Sequence, residues 1–232
     1  MLRPRIQVSM LGASLAVAVM IGSCGGGVGG SAGGSGGGET CDDLTEPGPG
    51  EPSPVGVTLR NDGAATIYVL SSSTCRLEIY QVATDVLGAG QSLGRGGCGR
   101  SCGSLLSEDC GLCEGDGACP PDPQVIVLPP GTTYVAETWS GVVLESREIP
   151  AECVKFPHCA DSCVVTAGAP AGDYVFTAYA LPTCTGDPAV CDCPSATESC
   201  VTSPGAALSG DSRMVSATIA VPTAAAVELV FP

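Results

Sequence analysis

Val55-Gly56-Val57-Thr58-Leu59-Arg60, then Asn61-Asp62-Gly63, then Thr66-Ile67-Tyr68-Val69-Leu70: the run from 55 to 70 decides the fold class. Val55, Val57 and Leu59 alternate with Gly56, Thr58 and Arg60, the period of a strand with one face buried. Asn61-Asp62-Gly63 supplies turn chemistry, and the next run is β-branched and aromatic. The pattern predicts two strands joined as a hairpin.

The same period recurs outward from there. Arg76 to Val82 alternates, with Leu77 and Ile79 on one face. Val125-Ile126-Val127-Leu128 is followed by the turn Pro129-Pro130-Gly131 and by Thr132 to Glu137. Val142-Val143-Leu144 and Tyr174 to Leu181 are further strands. Val215, Ala217, Ile219 and Val221 alternate with small and polar residues, and Pro222-Thr223 breaks the run before Val227, Leu229 and Phe231. Eight or nine short strands result, and nothing after the N-terminal apolar stretch has a capped helical period. Strands without intervening helices predict an all-β, antiparallel sandwich over residues 54–232, a length one such domain fills. Aromatics are 4% of the chain, so the core is expected to be chiefly valine, leucine, isoleucine and alanine.

Composition narrows the chemistry. The 232 residues carry a net charge of −15, yet only 14% are charged, against roughly a quarter in ordinary domains. Lysine occurs once, at Lys155, so no basic stripe can follow a phosphate backbone, and nucleic acid is not an expected partner. His158, inside Phe156-Pro157-His158-Cys159, is the one histidine; it reads as a surface or packing residue, without the partners that tune a base or ligand. No cofactor, metal site or catalytic residue is expected.

The N-terminus reads as an export signal. Arg3 and Arg5 precede an apolar stretch from Val8 to Gly22, too short for a comfortable span. It closes with Ile21-Gly22-Ser23-Cys24, which resembles the bacterial lipobox. That resemblance implies removal of residues 1–23 and acylation of Cys24, hence a lipid-anchored cell-envelope protein whose membrane contact is its lipid; the leading expectation for it is a non-enzymatic structural or binding role. With Gly25 rather than aspartate next, it implies the outer membrane of a Gram-negative cell. Residues 25–38, GGGVGGSAGGSGGG, and the Pro/Gly-rich Pro47–Pro54 bury little apolar surface, so 24–53 is expected to be a disordered tether reaching about 30 Å.

Fifteen cysteines minus Cys24 leave an even set: Cys41, Cys75, Cys98, Cys102, Cys110, Cys113, Cys119, Cys153, Cys159, Cys163, Cys184, Cys191, Cys193 and Cys200. Even parity in an exported chain predicts disulfides, and lipidation of Cys24 removes the odd thiol. Zinc would want a second close pair beside Cys110-Gly111-Leu112-Cys113, which is lacking; Cys191-Asp192-Cys193 is too tight to supply it, and those two are poorly placed to bridge each other. Connectivity stays open. The cysteines concentrate in 98–119, 153–163 and 184–200, segments that read as long stapled loops.

Leu128-Pro129-Pro130-Gly131, Trp139-Ser140-Gly141 and Pro170-Ala171-Gly172-Asp173-Tyr174-Val175-Phe176 together resemble Ig-like bacterial modules, including the intracellular proteinase inhibitor family. The resemblance spans 124–181 and implies an Ig-like sandwich, with a turn, a core tryptophan beside a close backbone approach, and a strand start at these three places. It carries no inhibitory residue onto this chain. Besides a structural or binding role, with a protein or polysaccharide partner, the sequence leaves two functions open. One is an extracytoplasmic proteinase inhibitor presenting a stapled loop. The other is a serine hydrolase: Gly90-Gln91-Ser92-Leu93-Gly94 matches G-x-S-x-G, with Asp122 and His158 following. A glycine-rich loop with no helix after it is the wrong setting for that elbow, and Gly33-Gly34-Ser35-Gly36-Gly37 matches the same pattern inside the tether. Glu108, Asp109, Glu114 and Asp116 lack the EF-hand register and read as a solvated acidic loop rather than a calcium site.

Overall fold

The computed structural model describes residues 41–71, 79–93, 101–105, 124–154, 162–186, 188–202 and 207–232. Among them run fourteen strands: β1 (Gly56–Asn61), β2 (Ile67–Ser71), β3 (Gln81–Ala83), β4 (Gln91–Ser92), β5 (Gln124–Leu128), β6 (Thr133–Val135), β7 (Val142–Glu148), β8 (Ser162–Gly168), β9 (Gly172–Ala180), β10 (Thr183–Thr185), β11 (Cys200–Thr202), β12 (Ala207–Ser209), β13 (Arg213–Val221) and β14 (Ala226–Phe231). Among the described residues the structure is mostly β, with single α-helical turns at Cys102–Leu105 and Pro188–Cys191. The count exceeds the eight or nine expected because β3, β4, β6, β10, β11 and β12 have three residues or fewer. A period-2 pattern needs about four residues to show itself. Of the longer strands, β8 is not among those the sequence predicts: its Cys163 closes the cysteine-rich segment 153–163, which reads as a stapled loop.

The strands form five small sheets, ordered β14-β1-β6, β10-β12, β11-β5-β2, β13-β9-β3 and β4-β7-β8. The expected hairpin over residues 55–70 is not formed, because β1 and β2 lie in different sheets. Asn61 explains the crossing. Its fully buried side chain donates to the carbonyls of Ala65 (2.9 Å) and Leu128 (2.8 Å) and accepts from Gly63 N–H (3.0 Å). The residues that read as a hairpin turn therefore tie a corner to the end of β5. The turn Pro129–Gly131 forms, with Thr132 N–H and hydroxyl both donating to Pro129 O, and it carries the chain from β5 into the sheet of β6. The two crossings are laced together, Gly131 N–H donating to Asn61 O (2.7 Å) and Asn61 N–H to Thr132 O (3.0 Å).

Antiparallel pairing is the rule, with one correction: β1 and β14 run parallel, from Gly56↔Ala226 to Asn61↔Phe231. In that register Val57, Leu59 and Asn61 stand beside Val227, Leu229 and Phe231, and all six are buried. In-phase alternation lets the first and last strands of the domain share one buried face.

The main core is aliphatic by number, as expected, but its largest members are Trp139, Tyr80, Tyr174, Phe176 and Phe231. Trp139 lies 5.2 Å from Tyr174 and 5.7 Å from Phe176, ring centre to ring centre, and Tyr80 lies 5.8 Å from Phe176. Their polar ends are satisfied: Tyr80 donates to Glu137 O (2.7 Å) and Tyr174 to Pro170 O (2.9 Å).

Residues 41–53 correct a second expectation. Their composition reads as disordered tether, yet they pack on the domain, and all described residues belong to the compact unit Glu39–Pro232. Gly48 N–H donates to Thr166 O and Gly168 N–H to Pro49 O. Val55 and Trp139 exchange backbone bonds at 2.9 and 3.0 Å. A segment too poor in side chains to make its own core can still lie backbone to backbone on β8. Gly168 allows it, since a Cβ there would stand 2.6 Å from the carbonyl carbon of Gly50.

Candidate functional site: the stapled loops

Four disulfides join cysteines among the described residues: Cys41–Cys153, Cys102–Cys163, Cys184–Cys191 and Cys193–Cys200. All eight are among the fourteen candidates. The other six, Cys75, Cys98, Cys110, Cys113, Cys119 and Cys159, lie outside the described residues, as do Cys24, Asp122, His158 and the acidic positions Glu108, Asp109, Glu114 and Asp116.

The first two bridges build a second core. Leu44, Cys102, Cys153, Cys163 and Val165 are buried together, with Cys41 and Ile149 packed against them. Sulfur here supplies apolar volume as well as a covalent tie. Beside this cluster a cleft of about 330 Å³ is lined by Asp43, Leu44, Arg147 and Glu148. Arg147, the cation among its described lining residues, is occupied structurally: its Nη1 donates to the carbonyls of Asp43 (3.1 Å) and Leu44 (3.3 Å), and Nε lies 3.7 Å from Glu145. These contacts hold the turn at Asp43–Thr45 against β7.

The other two bridges each join cysteines seven positions apart and close equal rings on either side of Asp192. Cys191 and Cys193 thus point to different partners, as their tight spacing required. The double-ringed segment is fastened to the domain at both ends. Thr183–Thr185 pairs with Ala207–Ser209, and Cys200–Thr202 pairs with Val127–Val125 of β5. Ser199 Oγ donates to Thr133 O at 2.6 Å. Asp192 also reaches Tyr68 of β2, whose phenol is held above its ordinary value first by burial and then by that carboxylate. Between the fastenings Pro194, Ala196, Thr197 and Glu198 are exposed, over a short turn in which Ser195 and Thr197 hydroxyls are 3.0 Å apart. This arrangement presents a small, pre-shaped polar tip. It brings no acid, base and nucleophile together.

Ser92 is exposed in the two-residue strand β4, opposite Leu144 of β7. Before it, Gln91 closes a turn on Gly88, its N–H donating to Gly88 O and its side-chain oxygen accepting from Gly88 N–H. That turn leads into an edge strand, and Gly94, the last residue of the motif, lies outside the described residues. Among the described residues no three His, Cys, Asp or Glu side chains are grouped to hold a metal. No helix among them is long and apolar enough to cross a membrane.

The residues behind the Ig-like resemblance have architectural places. Gly131 sits in its turn at φ +73°. Trp139 is buried beside Gly141 (φ +71°), where an added Cβ would collide with the backbone of Ser53. Gly172 opens β9 with Val86 lying where its Cβ would be. No family model, curated protein or solved structure matches the chain.

Proposed function

We propose that this is a lipid-anchored, non-enzymatic protein of the bacterial cell envelope, held by an acylated Cys24, whose Ig-like β-sandwich presents disulfide-stapled loops for a structural or binding role. The observation that carries the reading is the second core made of Cys41–Cys153 and Cys102–Cys163. A core of this kind needs an oxidising compartment to form, which agrees with export. Cys24 is the one cysteine left over from an even set, and it ends the apolar N-terminal stretch. Three of the sheets, β14-β1-β6, β11-β5-β2 and β13-β9-β3, contribute side chains to one aromatic-centred core, which supports a sandwich reading. With Gly25 after Cys24, the lipobox resemblance implies the outer membrane, and a glycine-rich spacer from 25 to 38 would hold the domain off the lipid.

Expression of the full chain in a Gram-negative host tests this. The expected product is found in the outer-membrane fraction, begins at Cys24 and carries diacylglyceryl and acyl mass, and Cys24→Ser abolishes that mass. Unmodified protein that keeps residues 1–23 would overturn the anchor. A second reading is favoured by the tandem rings at 184–200: a rigid exposed tip between two disulfides suits an extracytoplasmic proteinase inhibitor. Failure to inhibit serine, cysteine and metalloproteases would eliminate it.

A further inference from the structure

We infer that β13 is a dimerisation edge, along which two copies of this chain join antiparallel to make one continuous sheet. In the sheet β13-β9-β3, β13 is terminal, and no strand among the described residues pairs with its other side. It is nine residues long, and from Met214 to Val221 it holds no charge and no proline. Free edges are ordinarily blunted by shortness, charge, proline or a bulge. The opposite edge, β3, is blunted in that way, being three residues long.

Burial across the sheet indicates a missing neighbour. On β9 the inward residues Tyr174, Phe176, Ala178 and Ala180 are fully buried, whereas Val215, Ala217 and Ile219 of β13 pack on the same core yet stay half-exposed. On the outward face, Met214 is 62% exposed and stands opposite Tyr179, 43% exposed, in the β9 register.

The strand is also complementary to itself. A two-fold axis must keep inward residues opposite inward ones, and side chains alternate with period 2. Centring the axis on Ala217 satisfies this and overlaps all nine residues. Val215 then faces Ile219 of the other copy, Ser216 faces Thr218, Met214 faces Ala220, and the two copies' Arg213 side chains lie at opposite ends of the interface. No like charges meet along it, although each chain carries −15 overall. Because β3 offers no second template, the assembly closes at two.

Sedimentation of the full chain in density-matched detergent tests this. The unaltered protein should be a dimer. S216K/T218K would place lysines opposite lysines at exposed positions and should weaken association at least tenfold. S216K/T218E would place lysine opposite glutamate and should restore it. A second readout does not depend on those variants folding. Ala217→Cys should give a disulfide-linked dimer across the axis, while Ala220→Cys, about 20 Å from its symmetry mate by strand rise, should not. A monomer for the unaltered chain, a dimer indifferent to S216K/T218K, or equal cross-linking at 217 and 220 would each overturn the inference. The last two outcomes would point to a different interface, and the first to a foreign strand as the occupant of the edge or to none.

Discussion

Asn61 Nδ2 donates to the carbonyl of Leu128 at 2.8 Å, across 67 positions of sequence. It is the chain's one asparagine, and it is fully buried. The bond fixes the point where one strand leaves its sheet against the end of a strand in another, so both corners of the domain depend on it.

Asn61→Ala should therefore destabilise well beyond an ordinary surface turn. Removing the amide strands two carbonyls and the Gly63 N–H, and a loss of about 3 kcal/mol is expected. Asn61→Asp keeps the acceptor for Gly63 but turns a carboxylate oxygen toward two carbonyls, and should cost at least as much. Urea unfolding measures both; a change under about 0.5 kcal/mol for Asn61→Ala would show that the corner does not need the bond.

Two glycines with nearly the same backbone angle should behave differently. Gly131 (φ +73°) has open space where a Cβ would go, so Gly131→Ala should cost only the left-handed conformation, about 1 kcal/mol. Gly141 (φ +71°) has the Ser53 backbone there, so Gly141→Ala adds an overlap that only movement of residues 51–55 can relieve. About 3 kcal/mol is expected, measured by the same unfolding curves. Equal costs would mean that the 41–55 segment yields freely.

The bridges should differ by loop length. Cys41–Cys153 spans 112 positions and Cys193–Cys200 spans seven. On the chain-entropy relation, removing the first as a Ser/Ser pair costs about 5 kcal/mol and removing the second about 2 kcal/mol. The first also opens the second core, so its variant should lose protection from proteolysis around residues 41–53. Denaturant midpoints and limited proteolysis check the ranking.

Tyr68 and Tyr174 predict an alkaline limit. Burial raises both phenols above their ordinary value, and Asp192 raises Tyr68 further. Above the unfolded tyrosine value of about 10, the native state binds more protons than the unfolded state, so stability is complete below that pH and falls as pH rises. Tyr68→Phe should reduce the slope, and Asp192→Asn should bring the Tyr68 titration down in ultraviolet absorbance. An unchanged titration in Asp192→Asn would show that the double-ringed loop does not sit against β2.

Strand positions were readable because burial on one face writes an alternation into the chain itself. Val57 and Leu59, Tyr174 to Ala180 and Val215 to Val221 carry it, whereas Val125 to Leu128 shows as a short continuous apolar run buried at every position, and all are strands. β8 was not readable, because its alternation begins at a cysteine and ends at a glycine that serve other elements.

Pairing was decided only in three dimensions. Asn61-Asp62-Gly63 has the chemistry of a hairpin turn, and nothing local says that its amide will find Leu128 instead of letting β2 fold back on β1. The parallel match of β1 with β14 likewise depends on residues 170 positions apart sharing one buried face. Disulfide parity was a matter of counting, whereas the partners of Cys41 and Cys102 depend on which loops the packed sheets bring within reach. Period and parity are properties of neighbours along the chain. Register, crossing and bridge partners are set by which distant backbone groups and side chains leave water together.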